Sequence, residues 1–109
     1  MEVTTTYNTY KKCKLYTDSY YADNSLFIGI MTEDEGYPEP LADITVCIPD
    51  SIYSLKENEA YVDTNNCPWV LDFIRQYELG TELGITCNSG YCFYPVIKFN
   101  MDKVKELSA

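Results

Sequence analysis

The feature that most constrains the fold is a strict alternation of side chains over residues 41–49. One set is apolar and consists of Ala42, Ile44, Val46 and Ile48; the set between consists of Leu41, Asp43, Thr45 and Cys47. Because successive side chains of a strand point to opposite faces, this period of two predicts a half-buried β-strand. We therefore expect the apolar set to face the core, and Asp43 and Thr45 to face water.

The preceding segment, residues 25–31, predicts a second strand. Its side chains are apolar on both faces, which is typical of a central strand that is covered on both sides. The connection TEDEGYPEP contains Gly36, Pro38 and Pro40, which interrupt regular structure. We therefore expect residues 25–48 to form an antiparallel hairpin with a long acidic connection.

Weaker patterns complete the predicted fold. Strands are expected at 13–17, 59–63 and 92–99, where Pro95 indicates an edge strand or a bulge because it cannot donate to a ladder. Pro68 and the apolar stripe behind it predict a helix over 68–79, ended by Gly80 as a left-handed cap. A short C-terminal helix is expected after Asn100, whose side chain would cap it. The sequence thus predicts an α+β fold, with an antiparallel sheet of about four to six strands packed on one main helix, as a single domain over residues 1–109.

The distribution of charge narrows the range of partners. The chain has 17 acidic and 8 basic residues, and residues 15–97 hold 14 of the acids with only Lys56 and Arg75 as bases. Such a chain repels phosphates, so nucleic acid is not expected as a direct ligand. The other basic residues lie near the two ends and would share a face if the terminal segments pack side by side: Lys11, Lys12, Lys14, Lys98, Lys103 and Lys105. The excess of acids is compatible with simple solubilisation as well as with binding.

Several kinds of catalysis lack the residues they need. The chain has no histidine, so neither a Cys-His nor a Ser-His-Asp arrangement is available. Its five glycines are scattered singly, without a phosphate-binding loop. We therefore predict no enzymatic activity and no cofactor.

The cysteines leave two interpretations open. In the segment DTNNCPW, Cys67 lies either at an ordinary helix start or at a helix N-terminus that activates its thiol. Cys87 and Cys92 flank a predicted hairpin turn, which favours two strand thiols over a zinc site because no second close pair completes a tetrahedron. No metal site is predicted.

No segment has the features of a membrane span or a secretion signal. The apolar runs are far shorter than the roughly 20 residues a span needs, and the N-terminus lacks an apolar region. We expect a soluble cytoplasmic protein with reduced thiols and no membrane contact.

Four segments carry a resemblance to a known family. They are YADN (21–24), LADITVCIP (41–49), EAYVDTNNCPW (59–69) and SGYCFYPVIKF (89–99). From about residue 20 onward the chain resembles domain-of-unknown-function family 4313, which is carried by phages and conjugative elements of gut bacteria. The resemblance implies no activity and no site residues. It implies a small accessory protein on a mobile element.

Charge and resemblance together predict an acidic DNA mimic that blocks a basic nucleic-acid-binding host protein, of the anti-CRISPR or anti-restriction type. The residues expected to form the partner-binding face are Glu33, Asp34, Glu35, Tyr37, Glu39, Asp43, Asp50, Glu57, Glu59 and Asp63. The alternative is a small-ligand or nucleotide-binding, sponge-like accessory protein, with a pocket where polar and aromatic groups meet. The residues expected to line that pocket are Asn65, Asn66, Trp69, Ser89 and Tyr91.

Overall fold

The computed structural model describes all residues, 1–109, and is mostly β, with 43% of residues in strands and 12% in helices. The strands are β1 (Val3–Thr4), β2 (Thr9–Tyr10), β3 (Cys13–Ser19), β4 (Leu26–Thr32), β5 (Glu39–Asp43), β6 (Thr45–Val46), β7 (Glu59–Val62), β8 (Gly80–Ser89) and β9 (Cys92–Phe99). The helices are α1 (Val70–Gln76) and α2 (Met101–Glu106). Three antiparallel sheets have the orders β1-β2, β3-β4-β5 and β6-β7-β9-β8.

The predicted α+β class, with one sheet packed on one main helix, is wrong. Helix α1 has seven residues instead of the expected 68–79, because the chain leaves the helix at Glu78, which has a left-handed φ of 53°. Gly80 is not a cap but the first residue of β8, which at ten residues is the longest strand. The signal for β8 was present in the alternation of Leu83, Ile85 and Cys87 with exposed residues.

The strand predicted over 41–49 divides at Ile44 between two sheets. The backbone N–H of Ile44 donates to the Ile28 carbonyl at 3.0 Å, and its carbonyl accepts the N–H of Asp63 at 2.8 Å. Ile44 is fully buried. Its two backbone hydrogen bonds join β4 of the three-stranded sheet to Asp63, which directly follows β7 of the four-stranded sheet.

This division reverses the expected orientation of Thr45. Its exposed fraction is only 3%, although the alternation placed it in water. Its Oγ1 accepts the backbone N–H of Ile28 at 3.1 Å and lies 2.9 Å from the hydroxyl oxygen of Tyr20. A polar side chain can be buried here because both of these groups satisfy it.

The other predicted elements are confirmed, with one change of position. β4 and β5 pair antiparallel, and β3, β7, β9 and α2 lie where expected. Asn100 caps α2 by accepting the backbone N–H groups of Asp102 and Lys103. Strand β9 is central rather than at an edge, but the register of β8 against it shifts between Glu82 and Thr86, so the bulge that Pro95 indicated is present.

The core is one cluster of 16 buried residues. α1 contributes Val70, Phe73 and Ile74 to it, while Val3 and Val104 bring in the two ends of the chain. The terminal segments do pack side by side, because the Leu15 N–H donates to the Leu107 carbonyl at 2.9 Å. Neither helix has the length and apolar composition needed to cross a bilayer.

Candidate functional site

The acidic connection between β4 and β5 contains one structural carboxylate. Asp34 accepts the backbone N–H groups of Lys11 at 2.9 Å and Lys12 at 2.7 Å, and these bonds hold the pKa of Asp34 below its usual value. Asp34 therefore fixes the turn between β2 and β3, and it brings the acidic connection next to two lysines. The carboxylates of Glu33 and Glu35 are exposed and make no hydrogen bond.

The other members of the predicted partner-binding face that are not buried are distributed over three parts of the chain. Tyr37 lies in the same connection, the half-buried Glu39 and the exposed Asp43 lie at the two ends of β5, and the exposed Asp50 and Glu57 lie in the segment between β6 and β7. None of these acids belongs to an ion pair. The three ion pairs instead join Arg75 to Asp72 and Glu82, and Lys103 to Glu106.

Glu59 does not contribute to an exposed face. Its exposed fraction is 5%, and its carboxylate accepts the Tyr53 hydroxyl at 2.7 Å and the Lys56 N–H at 2.9 Å. Burial opposes ionisation of Glu59, but these two hydrogen bonds outweigh it and lower its pKa. Together with the bond from the Tyr61 hydroxyl to Ser51 Oγ at 2.6 Å, they hold the segment 47–58 against the four-stranded sheet.

Asp63 is also buried, with an exposed fraction of 8%, and it organises the turn before α1. Its carboxylate accepts the backbone N–H of Asn66 at 3.0 Å and the side-chain Nδ2 of Asn66 at 2.9 Å. Neither Asn65 nor Asn66 bonds the free amides of α1, since the N-cap is Trp69 and no side chain caps the helix. Because Asp63 directly follows β7, its bonds with Asn66 attach the turn before α1 to the end of that strand.

Cys67 has no sign of an activated thiol. Burial raises its pKa to about 11, and the charges of Asp63 and Asp43 add to the effect. Its Sγ lies 3.7 Å from the Asp43 carbonyl oxygen, as a weak donor inside the core. The segment DTNNCPW is therefore the start of a helix, with Cys67 as a buried packing residue.

A pocket of about 440 Å³ lies between the β1–β2 hairpin and the start of α1. We call it the Trp69 pocket, and its polar and aromatic lining consists of Thr5, Thr6, Tyr7, Tyr10, Asp43, Asp63, Asn66 and Trp69. Leu41 and Ala42 add apolar surface from β5, and no lysine or arginine lines the pocket. It thus combines Asp43 and Asp63 of the predicted partner-binding face with Asn66 and Trp69 of the predicted ligand pocket.

The ligand pocket predicted from the sequence is only partly assembled. Asn65 is exposed and Ser89 lies elsewhere, in a cleft of about 860 Å³ that Asp50 and Cys87 also line. Tyr91 is fully exposed in the two-residue turn that it forms with Gly90. The φ of Gly90, 63°, fits the first central position of a type II′ turn. Only Asn66 and Trp69 therefore meet in one pocket.

The wall formed by Tyr7 and Tyr10 was missed by sequence reasoning. The run VTTTYNTY is rich in the β-branched and aromatic residues that favour strands, and Asn8 lies in the turn. This was the signal for the β1–β2 hairpin.

The thiols do not assemble into a metal centre. No group of three or more cysteine, aspartate or glutamate side chains is placed to hold a metal ion, and all five cysteines are free. Cys87 and Cys92 lie on the two strands of the β8–β9 hairpin, as the turn between them indicated.

Comparison with known proteins gives a family and no function. No curated protein and no solved structure matches the chain. The model of the family described as Domain of unknown function (DUF4313) matches residues 14–109, which excludes the β1–β2 hairpin, the turn after it and Cys13, the first residue of β3. The chain therefore belongs to the DUF4313 family.

Proposed function

We propose that this protein is a non-enzymatic acidic interaction protein that binds the basic face of a nucleic-acid-handling protein. The partner class that fits best is a host defence effector of the CRISPR or restriction type, with the protein acting as a DNA mimic encoded by a phage or mobile element. The observation that carries the proposal is a set of carboxylates without an ion-pair partner, all of them exposed except the half-buried Glu39. They are Glu33, Glu35, Glu39, Asp43, Asp50 and Glu57.

The charges on β5 do not form a single row. Glu39 pairs with Thr32 and Asp43 with Gly29, and the β-bulge between them places the two side chains on opposite faces of the sheet. Duplex DNA carries one charge per ~1.7 Å of its axis, so the acidic face is less dense in charge than DNA. It would compete by occupying the basic groove through fewer, desolvated contacts, to which Tyr37 at the connection adds apolar area.

Affinity capture from a host lysate at low and high salt tests this proposal. We expect retention of a nucleic-acid-binding protein at low salt, weakened at high salt because the contacts are electrostatic. The test variant is Glu33→Lys with Glu35→Lys, which leaves the structural Asp34 intact. The matched control is Glu2→Lys with Glu78→Lys, which changes the net charge equally at exposed sites near α1.

Loss of capture in the test variant alone supports the proposal. Failure to retain any nucleic-acid-binding protein would contradict it. Equal behaviour of the two variants would also contradict it, because the effect would then depend on net charge and not on this face.

A small-ligand role is the second candidate, and the Trp69 pocket favours it. Asp43 and Asp63 would repel a phosphate, so the pocket suits an uncharged or cationic ligand better than a nucleotide. A thermal-shift screen with nucleotides, divalent metal ions and organic cations separates these ligand classes. A large rise in Tm with a nucleotide would contradict the expectation that Asp43 and Asp63 keep phosphates out of this pocket.

A further inference from the structure

The Trp69 pocket combines acidic and aromatic residues. Its lining includes Asp43 and Asp63 but no basic residue, and it also includes Tyr7, Tyr10 and Trp69. Aromatic faces attract cations through their quadrupole, and carboxylates do so by charge. A cation is therefore the ligand class that satisfies both properties.

The negative potential of the two carboxylates reaches the inner wall of the pocket. Cys67 lines that wall, and after burial the next causes of its raised pKa are the charges of Asp63 and then Asp43. The Asp63 carboxylate accepts two hydrogen bonds from Asn66, and an ionised carboxylate has about four acceptor positions. It thus retains acceptor capacity for a further donor.

The aromatic wall is held in place by contacts outside the pocket. Trp69, Phe73 and Tyr77 form a ladder along α1, with ring centroids 6.1 Å and 5.4 Å apart, and the Tyr77 hydroxyl donates to the Glu2 carbonyl. At the other end of the hairpin, Asp34 holds the amides that follow Tyr10. The ring of Trp69 and the backbone at the end of the β1–β2 hairpin are therefore positioned without a ligand, which reduces the entropic cost of binding one.

Exposure of one ring indicates where the ligand enters. Tyr7 is 94% exposed at the hairpin turn, whereas Tyr10 and Trp69 are partly buried. A group that enters past Tyr7 covers it and reaches Trp69 with an extended stem. A long cationic side chain has this shape, since its apolar stem packs on rings while its head group stays polar.

We propose that the Trp69 pocket binds an arginine or lysine side chain presented by the protein partner. The stem packs against Trp69 and Tyr10, Tyr7 closes over it, and the head group donates toward Asp43 and Asp63. The identity of the partner rests on the function proposed above, whereas the preference for a cationic side chain rests on the pocket alone.

Fluorescence of Trp69, the only tryptophan, tests the inference directly. The full chain is titrated with a short peptide that contains one arginine, with its lysine counterpart, and with a peptide in which neutral citrulline replaces arginine. We expect a saturable change with the two cationic peptides only. Asp43→Asn should weaken binding by about tenfold or more, since it removes a charge-assisted contact. Tyr7→Ala should weaken it as well, without unfolding the chain, because Tyr7 is exposed.

The matched control is Asp18→Asn, which removes the same charge at an exposed position on β3, outside the pocket and outside the proposed partner-binding face. It should bind the cationic peptides as the unmodified chain does. An equal response to citrulline, no saturable response, or equal weakening by Asp18→Asn would overturn the inference.

The outcome is separable from that of the proposed function. Saturable peptide binding combined with failed lysate capture would support the cation-binding pocket and contradict the proposed DNA-mimic function. Successful capture that Asp43→Asn and Tyr7→Ala leave unchanged, with no peptide binding, would contradict the pocket alone.

Discussion

Replacing Thr45 by valine tests how the chain passes from one sheet to the other. The change preserves the shape of the side chain but removes Oγ1, which is the partner of the Ile28 N–H at 3.1 Å. Ile28 is fully buried, so that N–H would have no acceptor. The Tyr20 hydroxyl also loses its partner, but Tyr20 is only partly buried and its hydroxyl can bond to water.

The expected cost follows from the buried donor. An unsatisfied buried N–H costs about 1–3 kcal/mol, and the additional apolar contact of valine offsets only part of this. We expect a net loss of about 1–2 kcal/mol in the free energy of unfolding, or a decrease in Tm of about 4–8 °C for a chain of this size. Thr17→Val is the matched control, because Thr17 is exposed on β3 and its hydroxyl makes no hydrogen bond.

Thermal and denaturant unfolding of both variants measures the difference, and amide hydrogen exchange of Ile28 locates it. Thr45→Val should speed exchange of the Ile28 amide, whereas Thr17→Val should not. If Thr45→Val were as stable as Thr17→Val, Thr45 would face water, as the alternation over 41–49 alone predicts, and the division at Ile44 would be wrong.

Two further predictions concern the backbone around the sheets. Gly80→Ala would place its Cβ 2.6 Å from the Lys98 carbonyl oxygen and should cost about 3 kcal/mol, measured by denaturant unfolding. Gly84→Ala on the same strand meets no atom within 4 Å and should cost only about 1 kcal/mol for its positive φ, so equal losses would refute the clash. Asp34→Asn should lower Tm relative to Glu33→Gln at neutral pH, because only Asp34 holds backbone amides. Because folding lowers the pKa of Asp34, its stabilisation of the folded state is present above the unfolded pKa near 3.9 and is lost as pH falls through the folded pKa. The difference in Tm between the two variants should therefore disappear in acid. A difference that is independent of pH would contradict this.

Local patterns in the sequence determined β3, β4, β7, β9 and the C-terminal helix. The alternation at β3, the apolar run at β4 and the capping residue Asn100 act through neighbours within a few positions, so they could be identified without the fold. The turn chemistry of Asn88, Ser89 and Gly90 likewise indicated the β8–β9 hairpin. The absence of histidine limited the chemistry from the start.

Tertiary structure decided the positions at which distant segments meet. Glu59 and Asp63 have the same sequence signature as exposed acids. Their donors Tyr53, Lys56 and Asn66 lie only three to six residues away, but their burial follows from the position of β7 between β6 and β9. The division at Ile44 depends on Ile28 and Asp63, which no pattern within 41–49 specifies. Gly80 has an apparent capping position in the sequence, but the close approach of Lys98 makes it a strand glycine.

The Trp69 pocket is the clearest case of what the sequence could not show. Its walls come from residues 5–10, 41–43 and 63–69, which are brought together by the buried Val3, the ladder from Trp69 to Tyr77 and the bonds of Asp34. Residue type suggested that Asp43, Asp63, Asn66 and Trp69 were candidates for two separate roles. Their convergence in one pocket arises from packing between segments that are distant in the chain, because the local propensities that shape each segment do not specify which others it contacts.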